Sequence, residues 1–109
     1  MQTVKKTWGQ EEWVINCEEY CGKLLYIQKG SKSSIHYHKN KKETFYLLSG
    51  RVKLEVEDKS YLFLKGSKPI TILPEEVHGF EGLEDSVIIE FSTHHEDSDT
   101  YRLRSSSSG

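Results

Sequence analysis

Residues Gly30–Gly50 read GSKSSIHYHKNKKETFYLLSG, and the placement of two histidines and a glutamate within this stretch decides how the chain is to be folded. His36 and His38 are two residues apart, so on a strand spanning Ile35–His38 both side chains leave the same face. Lys39–Lys42 then forms a short polar connection, and Glu43 opens a second strand with Phe45 and Leu47 on its face. Folded as a hairpin, this segment sets Glu43 almost opposite His38, within reach of a shared metal ion.

The flanking sequence is strand-rich. Glu12–Cys17 alternates, with Trp13, Ile15 and Cys17 on one side and Val14 and Asn16 on the other, and Leu24–Gln28 follows a turn at Cys21–Gly22. Gly50–Arg51 turns the chain into Val52–Glu57, which alternates without interruption. Tyr61–Leu64 and Pro69–Leu73 are further short strands, and Ser86–Ser92 closes the sheet with Val87, Ile89 and Phe91 facing one way. Eight or nine short strands with frequent turn signals, and no useful 3.6-residue periodicity, predict an all-β barrel or double-sheet jelly roll.

The chain of 109 residues fits one domain. The spacing of signals divides it into a loose N-terminal arm (1–10), a β-barrel (11–103) and a disordered tail (104–109) ending in SSSSG. A net charge of −2, with 15 basic and 17 acidic residues interspersed, excludes the basic face that nucleic acid requires. No apolar run approaches the about 18 residues of a membrane span, and MQTVKKTWGQEEW lacks the apolar core of a signal peptide, so the expected compartment is cytoplasmic. Cys17 and Cys21, with no second cysteine pair, read as reduced structural thiols. Trp8 and Trp13 read as core or interface anchors rather than sugar-stacking platforms. The exposed edges of a small barrel favour a homodimer, packed or swapped through the N-terminal strand that carries these tryptophans.

The spacing Gly30, His36, His38, Glu43, Gly50 resembles the first motif of the cupin superfamily: a glycine, five residues, His-x-His, three or four residues, Glu, six residues and a glycine. Gly66–His78 (GSKPITILPEEVH) is similar to the second cupin motif, with Pro74 and His78 in the expected order and Glu75 where the family usually has a glycine. The resemblance implies a single-domain cupin, a double-stranded β-helix (jelly-roll) barrel, in which His36, His38, Glu43 and His78 hold one metal ion. Three imidazoles and a carboxylate suit a divalent transition metal, Zn²⁺, Mn²⁺, Fe²⁺, Ni²⁺ or Co²⁺, over Ca²⁺ or Mg²⁺. On an ion that prefers six ligands this set leaves two adjacent positions open for water or substrate.

Outside that set, His94–His95 reads as an exposed pair of which at most one faces the barrel. Tyr37 and Tyr46 face away from the metal, and Glu90, opposite in parity to Ile89, reads as solvated. The exit segment IIEFSTHHEDSDTYRL is similar to the end of the cupin part of type II mannose-6-phosphate isomerases, through Ile89, Glu90, Glu96–Asp99 and Arg102. That likeness implies aldose–ketose isomerisation, yet no inward-facing base free of the metal can be named, and no cluster of Lys and Arg forms a phosphate clamp. Three functions therefore stand: a metal-dependent isomerase- or epimerase-like enzyme on a small ligand such as a sugar or sugar phosphate, an Fe(II) dioxygenase, or a non-catalytic small-ligand-binding cupin.

Overall fold

In the computed structural model, which describes residues 1–109, alternating apolar positions produce eleven strands, one turn of 3-10 helix (Asp97–Asp99) and no α-helix. They are β1 (Gln2–Lys6), β2 (Gly9–Asn16), β3 (Cys21–Ile27), β4 (Ile35–His38), β5 (Glu43–Ser49), β6 (Arg51–Val56), β7 (Lys59–Leu64), β8 (Ile70–Ile72), β9 (His78–Gly82), β10 (Ser86–Ser92) and β11 (Thr100–Arg104). Two antiparallel sheets result, ordered β1-β2-β3-β10-β5-β8 and β11-β4-β9-β6-β7, and their inner faces enclose the interior of a jelly roll.

The core is a cluster of buried side chains from both sheets, among them Leu25, Ile27, Leu47, Val52, Leu54, Phe63, Ile72 and Ile88. Trp8 belongs to it, with its ring edge-on to Phe80 at 5.0 Å between centroids. Trp13 is half-buried and turned inward against Lys23 and His95. Trp8 is thus a core anchor, and Trp13 packs on the sheet with part of its surface open.

Three local expectations are corrected. First, residues 1–10 are not a loose arm, because Gln2–Lys6 pairs with Gly9–Trp13 at the edge of the larger sheet. In the tail, Ser107 exchanges two backbone hydrogen bonds with Lys32. Second, the register of β2 against β3 shifts between Trp13 and Ile15, so the bulge at Val14 reverses parity. Trp13 pairs with buried Lys23 and Asn16 with buried Cys21, while Ile15 leaves Trp13's face and is 38% exposed. The turn there is Cys17–Tyr20, closed by a bond from the Cys17 amide to the Tyr20 carbonyl, and Cys21–Gly22 lie within β3. Cys17 and Cys21 are unbridged.

Third, β4 and β5 do not form a hairpin. β4 pairs with β9 and β11 in one sheet, and β5 with β8 and β10 in the other. The loop Lys39–Lys42 crosses between sheets, so His38 and Glu43 meet across the barrel interior instead of across a ladder. The Asp99 carboxylate holds this loop, accepting bonds from the amides of Lys39 (3.0 Å), Asn40 (3.1 Å) and Lys41 (3.2 Å). A buried carboxylate that satisfies three loop amides fixes backbone no ladder supports.

Candidate metal centre

The four expected residues are delivered by three strands, β4, β5 and β9. His36 and His38 sit on one face of β4, as their spacing requires, and His36 lies opposite His78 in the register with β9. His78 follows the turn Pro74–Val77, in which Glu75 adopts φ 72°, the left-handed backbone that glycine usually supplies. The turn therefore keeps its shape with a glutamate in it, and the Glu75 amide donates to the His38 carbonyl at 2.6 Å, locking the turn onto β4. After His78 the chain has to pass close to β4: a Cβ on Gly79 would lie 2.9 Å from the Ser34 carbonyl oxygen and 2.6 Å from the Ile35 side chain.

The three imidazoles share one orientation. His36 Nδ1 lies 2.9 Å from the Ser34 carbonyl oxygen, His78 Nδ1 2.9 Å from that of Glu76, and His38 Nδ1 3.2 Å from that of Asp99. Carbonyls only accept, so this network assigns the proton of each neutral ring to Nδ1 and leaves the Nε2 lone pairs for the barrel interior. The ligating atoms of His36, His38 and His78 fall within 4.8 Å of one another, close enough to serve one ion. Glu43 Oε2 lies 3.2 Å from the Nε2 atoms of both His38 and His78.

The donor set carries the marks of a cation site. Glu43 Oε2 and His78 Nε2 are buried and have no partner in hydrogen-bond geometry, although they lie near each other. Buried polar atoms without partners are costly unless something else satisfies them. Burial, then the neighbouring His78 and His38, pushes the His36 imidazole down to about 3, which keeps it a neutral donor. Burial works against the charge on Glu43, but Lys41 and the two histidines outweigh it and hold the carboxyl well below its ordinary value. Burial likewise opposes the charge on His78, and Glu43 reverses that, raising it.

The interior also holds polar groups that the sequence placed outside. Glu90 is 3% exposed and forms an ion pair with buried Lys41, Nζ to Oε2 at 2.8 Å. Lys41 Nζ lies 3.6 Å from Glu43 Oε1 and donates to His95 Nδ1 at 3.0 Å. Burial alone would lower the Lys41 ammonium, but Glu90 and Glu43 raise it instead. His95 is buried, not exposed, while His94 stays at the surface. Burial, together with the charges of Lys41 and Lys23, lowers His95 to about 4, and its Nε2 proton goes to Asp97 Oδ1 at 2.8 Å. Lys23, buried as well, lies 3.5 Å from Glu11 Oε1 and 4.3 Å from the centre of the Trp13 ring.

Glu11, Lys23, Lys41, Glu90, His95 and Asp97, with His36, His38, Glu43 and His78, line one cavity of about 280 Å³ whose lining includes only four apolar residues, Trp8, Leu25, Phe45 and Phe80. Tyr46 faces outward as expected, and Tyr37 stacks on Tyr101 with 5.1 Å between ring centroids.

The Cupin domain family matches the sequence over residues 23–91, which takes in both histidine strands, Glu43 and His78. The chain belongs to the cupin superfamily. No functionally curated protein matches this cupin by sequence. Its fold is similar to that of KdgF from Halomonas sp., with a TM-score of 0.74 and 19% identity over 82% of this chain and 81% of the other. It is similar too to the capsular polysaccharide assembling protein CapF from Staphylococcus aureus (TM-score 0.83, 21% identity, 94% of this chain and 32% of CapF). Oxalate decarboxylase from Bacillus subtilis gives a TM-score of 0.77 at 16% identity, over 94% of this chain and 30% of the decarboxylase. The cupin therefore spans most of KdgF but about a third of the other two, and at these identities the likeness is one of fold. No helix is long and apolar enough to cross a membrane.

Proposed function

We propose that His36, His38, His78 and Glu43 hold a divalent transition metal, and that this cupin is a metal-dependent, isomerase- or epimerase-like enzyme acting on a small hydroxylated carbonyl compound such as a sugar. The observation that carries the reading is the Glu90–Lys41 pair, a buried carboxylate and ammonium 2.8 Å apart that line the same cavity and are not needed as ligands. Sugar isomerisation needs a base and an acid beside the bound carbonyl. A bound divalent ion would polarise that carbonyl and acidify the neighbouring hydroxyl.

The chain's own residues supply the rest. The Glu90 carboxylate accepts the proton from C2 and returns it to C1, and the Lys41 ammonium, poised between Glu90 and Glu43, donates to the carbonyl oxygen and recovers a proton from the neighbouring hydroxyl. His95 takes a hydrogen bond from Lys41 and gives one to Asp97, whose side chain is 83% exposed, so the pair has a hydrogen-bonded route to solvent. A buried acid–base pair costs stability, and a proton-transfer role accounts for its retention beside the metal ligands. The homodimer is a separate proposal, resting on the free β1 edge of the larger sheet and on half-exposed Trp13 beside it, and a size measurement in solution tests it.

Metal-loaded protein incubated with aldoses and ketoses in D₂O should exchange the hydrogen at C2. Glu90→Gln should lose that exchange while keeping its metal. Absence of exchange with every sugar, or undiminished exchange in Glu90→Gln, defeats the assignment.

A further inference from the structure

The charges that line the cavity bear on what enters it. The chain carries a net −2, yet five cationic residues border this one cavity, Lys5, Lys6, Lys23, Lys41 and Arg102; on β1, Lys6 shares the face of Val4, which pairs with cavity-lining Glu11, and Lys5 has the opposite parity, so four cationic side chains face in. Four carboxylates face them, and each is already engaged: Glu11 by Lys23, Glu43 and Glu90 by Lys41, and Asp97 by His95. Lys5, Lys6 and Arg102 take part in no ion pair, and they come from the edge strands of the two sheets, β1 and β11. Four inward cations balance the four carboxylates, and a divalent ion would bring the cavity to a surplus of two positive charges. Low-dielectric walls focus such a field onto whatever enters.

Size and lining narrow the ligand further. About 280 Å³ is at the small end of ligand sites, enough for one monosaccharide-sized molecule. Hydroxyls of Thr7, Ser33, Ser34 and Thr100 line it, and they suit a polyhydroxylated compound better than an apolar one.

We infer that the ligand of this cavity is a hydroxylated anion of monosaccharide size, a sugar acid or a sugar phosphate, whose charged group is received by Lys6 and Arg102 at the rim while its hydroxylated end reaches the histidine cluster. The inference rests on the proposed function for where the reacting end goes. It does not rest on it for the charge, since the rim cations act without a metal.

Isothermal titration of the metal-loaded protein, and of the same protein stripped with chelator, tests this with D-glucuronate, glucose 6-phosphate, inorganic phosphate and neutral D-glucose. At least one sugar anion should bind about tenfold tighter than glucose and than inorganic phosphate in both forms, and the tighter of the two sugar anions identifies the charged group. In the double variant Lys6→Gln/Arg102→Gln that preference should fall close to unity while metal content is unchanged. Glucose or inorganic phosphate binding as tightly as both sugar anions, neither sugar anion binding, or an undiminished preference in the double variant overturns the inference. A chain that selects the anion but exchanges no C2 hydrogen would overturn the isomerase reading alone.

Discussion

The two halves of the barrel interior are built on the same strands with the same inward parity, and they have opposite chemistry. In one row Leu25, Ile88 and Leu47 face each other across β3, β10 and β5, all of them buried. Two residues along each strand the row reads Lys23, Glu90 and Phe45, and the position beyond it on β5 is Glu43. The apolar half has what a core needs to hold two sheets together. The other half buries charges that cost desolvation energy and contribute little net stability even when paired. The difference sets an end that stabilises the fold against an end that costs it, and the proposed function accounts for the cost.

Breaking the contrast at its strongest point gives the largest expected effect. Lys41→Met alone leaves Glu90 and Glu43 buried without their cation, and should destabilise the protein by about 3–5 kcal/mol. Lys41→Met/Glu90→Leu together remove the pair and leave only Glu43 without its cation, and should recover a large part of that loss while C2–hydrogen exchange disappears. Denaturant melts of the single and double variants check both, and a double variant less stable than the single would place the charged half among the supports of the fold. In the apolar half, Leu25→Ala should cost about 2–5 kcal/mol without altering metal stoichiometry, which separates the two halves by measurement.

The contrast also explains how far the sequence could be read. The spacing of His36, His38, Glu43 and His78 was legible because alternation and motif agree there; the three histidines cluster, and Glu43 lies 3.2 Å from two of them. Glu90, Lys41, Lys23 and His95 were not legible, because burial of a charge is decided by partners far away in the chain. On β10 three apolar residues, Val87, Ile89 and Phe91, mark one face as inward, and it is the outer face: Phe91 is 55% exposed, whereas Ile88 and Glu90 are buried. The usable signal was Ile88, an apolar residue sharing Glu90's parity, and Leu25 and Ile27 give the same signal for Lys23. The expected hairpin failed because a loop of four polar residues does not reveal that it crosses between sheets. The clamp that shapes it, Asp99, lies about sixty positions away.

Two smaller effects sharpen the picture. Asp99→Ala removes the carboxylate from the loop that carries Lys41 and leads into Glu43, and should weaken metal binding by about 10–100-fold, the range of supporting contacts around metal ligands. Competition with a chromogenic chelator reads this directly, and unchanged affinity would mean that the loop holds its shape unaided. Glu75→Gly relieves a left-handed glutamate and should stabilise the chain by about 1 kcal/mol, seen as a small rise in melting temperature with metal content unaffected. A fall instead would show that the glutamate side chain contributes more than its backbone costs.

The central claim is that one end of a β barrel gathers three imidazoles and a carboxylate around a single ion. Elemental analysis of protein purified without chelator or added metal, run beside His36→Ala and Glu43→Ala, tests it most directly. The expected result is one divalent transition-metal ion per wild-type chain and none in either folded variant. A metal-free wild type, or the same stoichiometry in all three, would contradict it.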